Sequence, residues 1–544
     1  MANIEAMLAG KRILAVDDLV ESRSAMKKML IILGATNVDI AMDGDEATEY
    51  ILNNDYDIVI SDYNLGRGRD GQQILEEARF IRRLKATSTF IMLTGENAMD
   101  MVMGAIEYEP DDYVTKPFTI DIMRQRLTRI LTTKEQLKPI NQAIDRQAKK
   151  EVLQLCKHYI EHKPRLKIRV ERIMGRTLMS MKRNEEALAL YDSILADREI
   201  NWALLGKATC LFHLGNIDES KKLLEYTIKM HPKYVQCYDL LCKIHIKNKD
   251  LKSAQNVLLQ GTNVSPKQVL RQMELGRIAF ANKDMEVAEG AFRQSVKLAR
   301  HSCYCSAKNY LYFAKSLQRK ISTNNNREAR SGSGDALKAI DEVKTIYSDT
   351  PEYLLEANLI ESTTYTNLGK EADAKVAAEK AENLLDTINK PSNNQLLSMV
   401  NVFIATKQHA KAQDLLGTVS AKDDLTRSEM KELERTKGEI NEHVVRQYTT
   451  DINDKAISFF EQGQLSQAIE LLDQATSYKE AGLAVLLNAI QVKITYMDQR
   501  EVSRKLVDEV NDLLRRVGDI PSNDERHQRW QLLKKSQERL VRML

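Results

Sequence analysis

Six cysteines in 544 residues, Cys156, Cys210, Cys237, Cys242, Cys303 and Cys305, are too sparse and too irregularly spaced for a disulfide framework. Their use suits a reducing, cytosolic compartment. Only Cys303 and Cys305 stand close together, and no partner follows at zinc-ligand spacing, so the cysteines read as small buried hydrophobes. No apolar run approaches the roughly 20 residues of a membrane span. The start, Met1-Ala2-Asn3-Ile4-Glu5-Ala6, lacks the basic segment and apolar stretch of a secretory signal. An excess of one charge sign is missing too. Lys and Arg number 80 against 77 Asp and Glu, a formal net charge of +3, and nothing in that near balance suggests a concentrated basic face for nucleic acid or a membrane. What is there is 43% hydrophobic and 29% charged residues, over a length too great for one core. A folded chain of several domains or an extended array is expected.

The stretch Asp57-Ile58-Val59-Ile60-Ser61-Asp62 organises the first part. Its apolar middle reads as a strand buried on both faces of a parallel sheet, ending on a carboxylate. Three further runs end on polar residues in the same way. Arg12 to Val16 delivers Asp17 and Asp18, Phe90 to Leu93 delivers Thr94, and Tyr113-Val114-Thr115 delivers Lys116. Strands near 12, 38, 57, 90 and 113 alternate with helical patterns at 22–33, 43–53, 72–84, 97–107 and 119–131. Five βα units imply a doubly wound parallel sheet, and groups beyond the strand ends of such a sheet converge. Three facing carboxylates repel each other unless a cation sits among them, and oxygen-only ligands select a hard ion, Mg²⁺ or Mn²⁺.

This set resembles the receiver domain of bacterial two-component response regulators, the CheY-like family, over roughly the first 131 residues. The matching residues are Asp17 and Asp18 as acidic pair, Asp62 as phosphoacceptor, Thr94 as switch hydroxyl, Tyr113 as switch aromatic, and Lys116-Pro117-Phe118. The resemblance implies strand order 2-1-3-4-5. It also implies metal ligation by Asp17, Asp18, Asp62 and the backbone carbonyl of Asn64, and phosphoryl transfer from a histidine kinase or phosphotransfer protein to Asp62. Lys116 would offset phosphoryl charge, and Lys116-Pro117 would be cis. The helix at 97–107, with Met99, Met101, Val102, Met103 and Ile106, would join the face that changes on phosphorylation. One departure is the loop Gly66-Arg67-Gly68-Arg69-Asp70-Gly71, about one residue longer than the family's usual loop.

Bland readings stand beside each of these. Asp17 and Asp18 suit a helix cap, and Asp62 suits a turn start. Thr94 or Lys116 alone would carry little, and it is their order with Tyr113 that does. Gly95 leaves access to the site, while Glu96 and Asn64 either position a water or are plain loop polars.

Past 131 the strand signal ends. One or two connecting helices are expected over 133–165, broken at Pro139 and Pro164. A repeat follows. Gly175, Ala208, Cys242 and Gly276 recur at spacings of 33, 34 and 34, as do Ala187, Ser220, Ala254 and Ala288, with Tyr191, Leu224, Leu258 and Phe292 in register. The period resembles the tetratricopeptide (TPR) repeat, a pair of antiparallel helices in which small residues admit the neighbour and large ones fill the gap. Degenerate units are expected to continue through Ala339, Ser362 and Ala412, with a clear one at Ala456 to Ala475. The stretch Ser322 to Gly334 reads as a flexible loop, and Thr426 to Tyr448 as a longer helix. Trp202 and Trp530 read as core or solvated faces.

This organisation places a receiver domain at 1–131, a helical linker at 132–164 and a TPR-like solenoid at 165–544. The expected function is that of a response regulator, not itself an enzyme, which accepts a phosphoryl group and signals through protein binding by its repeats. A phosphate sink or kinase-inhibiting adaptor is the alternative. A DNA-binding regulator lacks a recognition helix, and a hydrolase lacks a catalytic set after 131.

Overall fold

In the computed structural model, which describes residues 4–66, 68–95, 109–323, 327–422, 424–500 and 502–543, the β-branched runs of the first part pair as one parallel sheet. Its strands are β1 (Arg12–Val16), β2 (Asn37–Ala41), β3 (Ile58–Asp62), β4 (Thr89–Gly95) and β5 (Asp112–Lys116), in the order β2-β1-β3-β4-β5. Strand side chains alternate between two cores. Ile13, Ala15, Ile58, Ile60, Ile91 and Leu93 face one side, and Leu14, Val16, Val59, Phe90 and Met92 face the other. Each fully buried Ile or Leu contributes about 1.5 to 3 kcal/mol, so a one-residue slip of a strand would forfeit its whole register.

Helices α1 (Ile4–Leu8), α2 (Val20–Ile32), α3 (Gly44–Asn53), α4 (Gly71–Phe80) and α5 (Ile120–Gln136) cover the sheet. Asp43 caps α3 by accepting from the amides of Asp45 and Glu46, and Asp70 with Gln73 forms a capping box on α4. α4 ends four residues short of the sequence estimate. Arg82 turns left-handed at φ 58°, and the amides of Arg83 and Leu84 both bond the Ala78 carbonyl.

The chain forms two compact units, Met1–Asp349 and Thr350–Leu544. Within the first, the sheet leads through helices Lys138–Asp145 and Lys149–His162 and a short turn at Pro164–Leu166 into the repeats. Pro139 sits in the first helical turn, where its missing N–H is no loss. The Asp145 carboxylate accepts from the Ala86 amide at 2.6 Å and the Thr87 hydroxyl at 2.8 Å, tying the connecting helices to the sheet's far edge.

The repeat register appears as packing. Ala187, Ser220, Ala254 and Ala288, and with them Tyr191, Leu224, Leu258 and Phe292, are at most 2% exposed. A Cβ on Gly206 would lie 2.3 Å from the Tyr191 ring, and one on Gly276 would lie 2.5 Å from Phe292, so these rings fill the space the glycines leave. The Ser322–Gly334 stretch corrects the sequence reading. Residues 324–326 lie outside the described set, but Ser331 to Gly334 belong to helix Arg327–Ile346. Ser333 is buried there, and a Cβ on Gly332 would stand in ordinary van der Waals contact with Leu317 at 3.5 Å, so the small residues lie on a packed helix and not in a loop.

The second unit is helical throughout its described residues. Its longest helix, Arg427–Glu461, starts at a Thr426–Glu429 capping box, and Ala456, Ala468, Leu472 and Ala475 are fully buried. Trp530 is buried in its core, whereas Trp202 in the first unit is half-buried.

Candidate functional site

Because all five strands run parallel, their carboxyl ends share one edge, and register sets which residues meet there. Val16 pairs with Ser61, Asp62 with Leu93, and Gly95 with Lys116. The next residues out are therefore Asp17 and Asp18 beside Asp62, with Thr94 and Lys116 across. The Lys116 ammonium lies 2.7 Å from Asp17 Oδ2 and 2.7 Å from Asp62 Oδ2, joining three strand ends.

Asp17 is almost fully buried. Its Oδ1 accepts the Leu19 amide at 3.0 Å, and the buried Arg23 guanidinium donates to its carbonyl at 2.6 Å. Leu19, not an aspartate, is the N-cap of α2, so the capping alternative for Asp17 and Asp18 does not describe this turn. Asp18 is exposed, and Gly66 passes close to it in a left-handed turn at φ 73°. Carboxylate oxygens of Asp17, Asp18 and Asp62 lie within 4.8 Å of one another and could hold a metal ion. Such an oxygen-only donor set fits a hard divalent cation.

Burial pushes the Asp62 carboxyl above its ordinary range and Asp17 adds to this, while the Lys116 ammonium and the Asn64 amide pull it back. For Lys116 burial acts downward, but its bonds to Asp17 and Asp62 outweigh it and raise the ammonium's pKa. Thr94 is buried, and the position of Gly95 opens on empty space. The Tyr113 hydroxyl is buried without a hydrogen-bond partner among the described residues, and burial raises its pKa. Lys116-Pro117 is cis. Glu96, Met99, Met101, Val102, Met103, Ile106 and Arg67 lie outside the described residues.

The structure adds a set of contacts that no sequence signal marks. Tyr63, next to Asp62, accepts a hydrogen bond from Lys267 at 3.0 Å, and the same ammonium stands 4.8 Å from its ring centroid. The Ser302 hydroxyl donates to the buried Glu76 of α4 at 2.7 Å, and Phe80 meets Tyr304 edge to face. Glu109, just before β5, is held by Arg172 and by Arg176, the latter at 2.7 and 2.8 Å. The partners are up to 226 residues apart in the chain, beyond the reach of any spacing rule.

Residues 13–128 match the response regulator receiver domain, and residues 134–268 match the N-terminal TPR repeats region of Psidin. Over 119 residues the chain is 32% identical to the chemotaxis protein CheY of Pseudomonas aeruginosa, covering 22% of this chain and 94% of that protein. It is 31% identical over 128 residues to CheY-3 of Vibrio cholerae, covering 23% of this chain and 97% of that one. The transcriptional regulatory protein DltR of Streptococcus agalactiae is 33% identical over 131 residues, which make up 24% of this chain and 56% of DltR. A solved receiver domain from Clostridium thermocellum shares 26% identity, covering 23% of this chain and 98% of its own, with a TM-score of 0.21. The receiver-domain match and the likeness to the two CheY proteins assign the first part of the chain, which through residues 13–128 belongs to the response regulator receiver domain family of two-component systems.

Proposed function

We propose that this response regulator accepts a phosphoryl group on Asp62 from a histidine kinase or phosphotransfer protein and passes the signal on through protein binding by its repeats. The observation that carries the reading is the single Lys116 ammonium shared by Asp17 and Asp62 at an edge where Asp18 and Asn64 are exposed. An Asp62 oxygen attacks the phosphorus of a phosphohistidine. The O–P bond forms, the P–N bond breaks, and the electron pair goes to the imidazole nitrogen, which takes up a proton. Lys116 offsets charge on the phosphoryl oxygens. Asp17, Asp18, Asp62 and the Asn64 carbonyl would hold Mg²⁺ or Mn²⁺, which supplies further charge compensation when bound. Thr94 and Tyr113 serve as the switch pair, and Gly95 leaves the approach open. On this reading the chain is a phosphoryl acceptor rather than an enzyme acting on a separate substrate. A cytosolic setting goes with it, supported by free cysteines and by the lack, among described residues, of any helix long and apolar enough to cross a membrane.

The test is labelling with Mg²⁺ and a small phosphodonor, with the adduct mapped by mass spectrometry. Modification is expected at Asp62, lost on chelation of the metal. Wild-type labelling of Asp62→Asn at another residue would overturn the assignment.

A further inference from the structure

We propose that helix His527–Val541 of the second unit is a docking face for a membrane surface rich in anionic phospholipid. This surface is separate from the phosphoacceptor, and the inference stands whether or not Asp62 is phosphorylated. The chain's formal net charge of +3 is unevenly spread. Residues 526–543 carry Arg526, Arg529, Lys534, Lys535, Arg539 and Arg542 against a single acid, Glu538, so the rest of the chain is slightly acidic. Helical periodicity puts Arg529, Leu532, Lys535 and Arg539 within an arc of roughly 120°, with Arg542 and Met543 just past the helix end. Trp530, Leu533 and Leu540 pack into the core instead.

Two properties of this arc point to lipid. Its cations are poorly neutralised from within the fold. The half-buried Arg529 guanidinium donates to neutral amides, to Gln491 Oε1 at 2.6 and 2.9 Å and to Asn488 Oδ1 at 2.6 Å. Burial lowers its pKa with no carboxylate to oppose the shift, so this charge stands without a counter-ion. Arg539 pairs with Asp498 and Arg526 with Asp524, whereas Lys535 and Arg542 have no carboxylate partner among the described residues. Glu525 precedes the helix, and Glu538 lies nine residues on from Arg529, on the opposite side of the helix. The second property is apolar: Leu532 and Met543 are 65% and 67% exposed among these cations. Anionic phospholipid meets both, its headgroups pairing with the cations and the acyl boundary taking the apolar side chains, as for basic helices lying in the interface plane. A nucleic-acid backbone would use the charges alone. An exposed, convex helix surface gives an acidic peptide no groove. The contact is peripheral, since no helix among the described residues is long and apolar enough to cross a bilayer.

The test is co-sedimentation of the full chain with vesicles of equal parts phosphatidylserine and phosphatidylcholine, against vesicles of phosphatidylcholine alone. Binding is expected to the mixed vesicles only, and to fall as salt rises, because screening shortens the reach of the cations. Lys535→Gln and Arg542→Gln are each expected to weaken it about fivefold, the usual worth of one basic residue near an anionic leaflet, and together about 25-fold. Leu532→Ser should weaken binding as well while leaving its salt dependence unchanged, which separates insertion from charge. All three side chains are exposed, so the variants should melt with the parent protein. Absence of sedimentation with the mixed vesicles would overturn the proposal, as would equal binding to both kinds of vesicle. Unchanged vesicle binding by the double Gln variant would place the contact elsewhere on the chain and overturn it for this helix. Full binding by Leu532→Ser would overturn the lipid assignment, and tighter capture of a single-stranded DNA oligomer than of vesicles would give the face to nucleic acid.

Discussion

Asp62 sits between opposed influences, burial and Asp17 disfavouring its charge, Lys116 and the Asn64 amide favouring it. Removing the ammonium should leave the carboxylates able to bind a divalent cation but strip compensation from the phosphoryl oxygens. A charge-assisted contact is worth about 1.5 to 3 kcal/mol, so Lys116→Ala is expected to weaken beryllofluoride binding by about 10- to 150-fold with Mg²⁺ affinity retained. Calorimetric titration checks both numbers, and equal beryllofluoride affinities would show that the ammonium is not used. The cysteines behave oppositely, as inert groups. Burial pushes the thiols of Cys156, Cys237 and Cys242 up to about 12 and that of Cys210 up to about 11. At pH 8 only about one thiol in a thousand or fewer is then thiolate, the reactive form. Iodoacetamide is expected to spare these four in the native protein and label all six cysteines in urea, as read by mass spectrometry. Native labelling of Cys237 would contradict its burial.

Among the elements, helix pairs depend on two kinds of position. The first is the small residue facing a ring. Gly276→Val would drive new methyls into Phe292, and overpacking of this kind costs about 1 to 3 kcal/mol, more where the neighbour cannot move. Calorimetry should show a lower melting midpoint for the first unit, and an unchanged midpoint would mean the ring finds another place. The second is the turn between paired helices. Lys182, Gly215, Lys249 and Lys283 all take left-handed backbone, with φ between 59° and 93°, at the 33, 34, 34 spacing of the repeat. Gly369, Lys407 and Gly463 do the same in the second unit. The repeat period was legible from helix-facing residues, but this turn position was not. Lysine carries no left-handed signature, and packing of the two helices imposes the conformation against its local preference.

For the whole molecule, the sequence by itself determined the sheet, its strand ends and the helical array. Runs such as Ile58-Val59-Ile60 between turn signals suit a strand covered on both faces, and a period of 34 with alternating small and large residues suits stacked helix pairs. Asp17, Asp18, Asp62, Thr94 and Lys116 were readable because parallel strands bring their ends to one edge whatever lies between them. Composition misled at Ser331 to Gly334, which continue a helix and not a loop, with Ser333 buried and Gly332 beside Leu317. Only the tertiary structure decided that Lys116 bridges Asp17 and Asp62, since that depends on strand register to one residue. It alone placed Lys267 on Tyr63, Ser302 on Glu76, and Arg172 and Arg176 on Glu109. Those pairs join residues whose local sequence says nothing of each other, and the path of the repeats past the sheet sets the distance between them. Local pattern encodes what a segment becomes, whereas contacts across hundreds of residues depend on the accumulated angles of every helix pair in between.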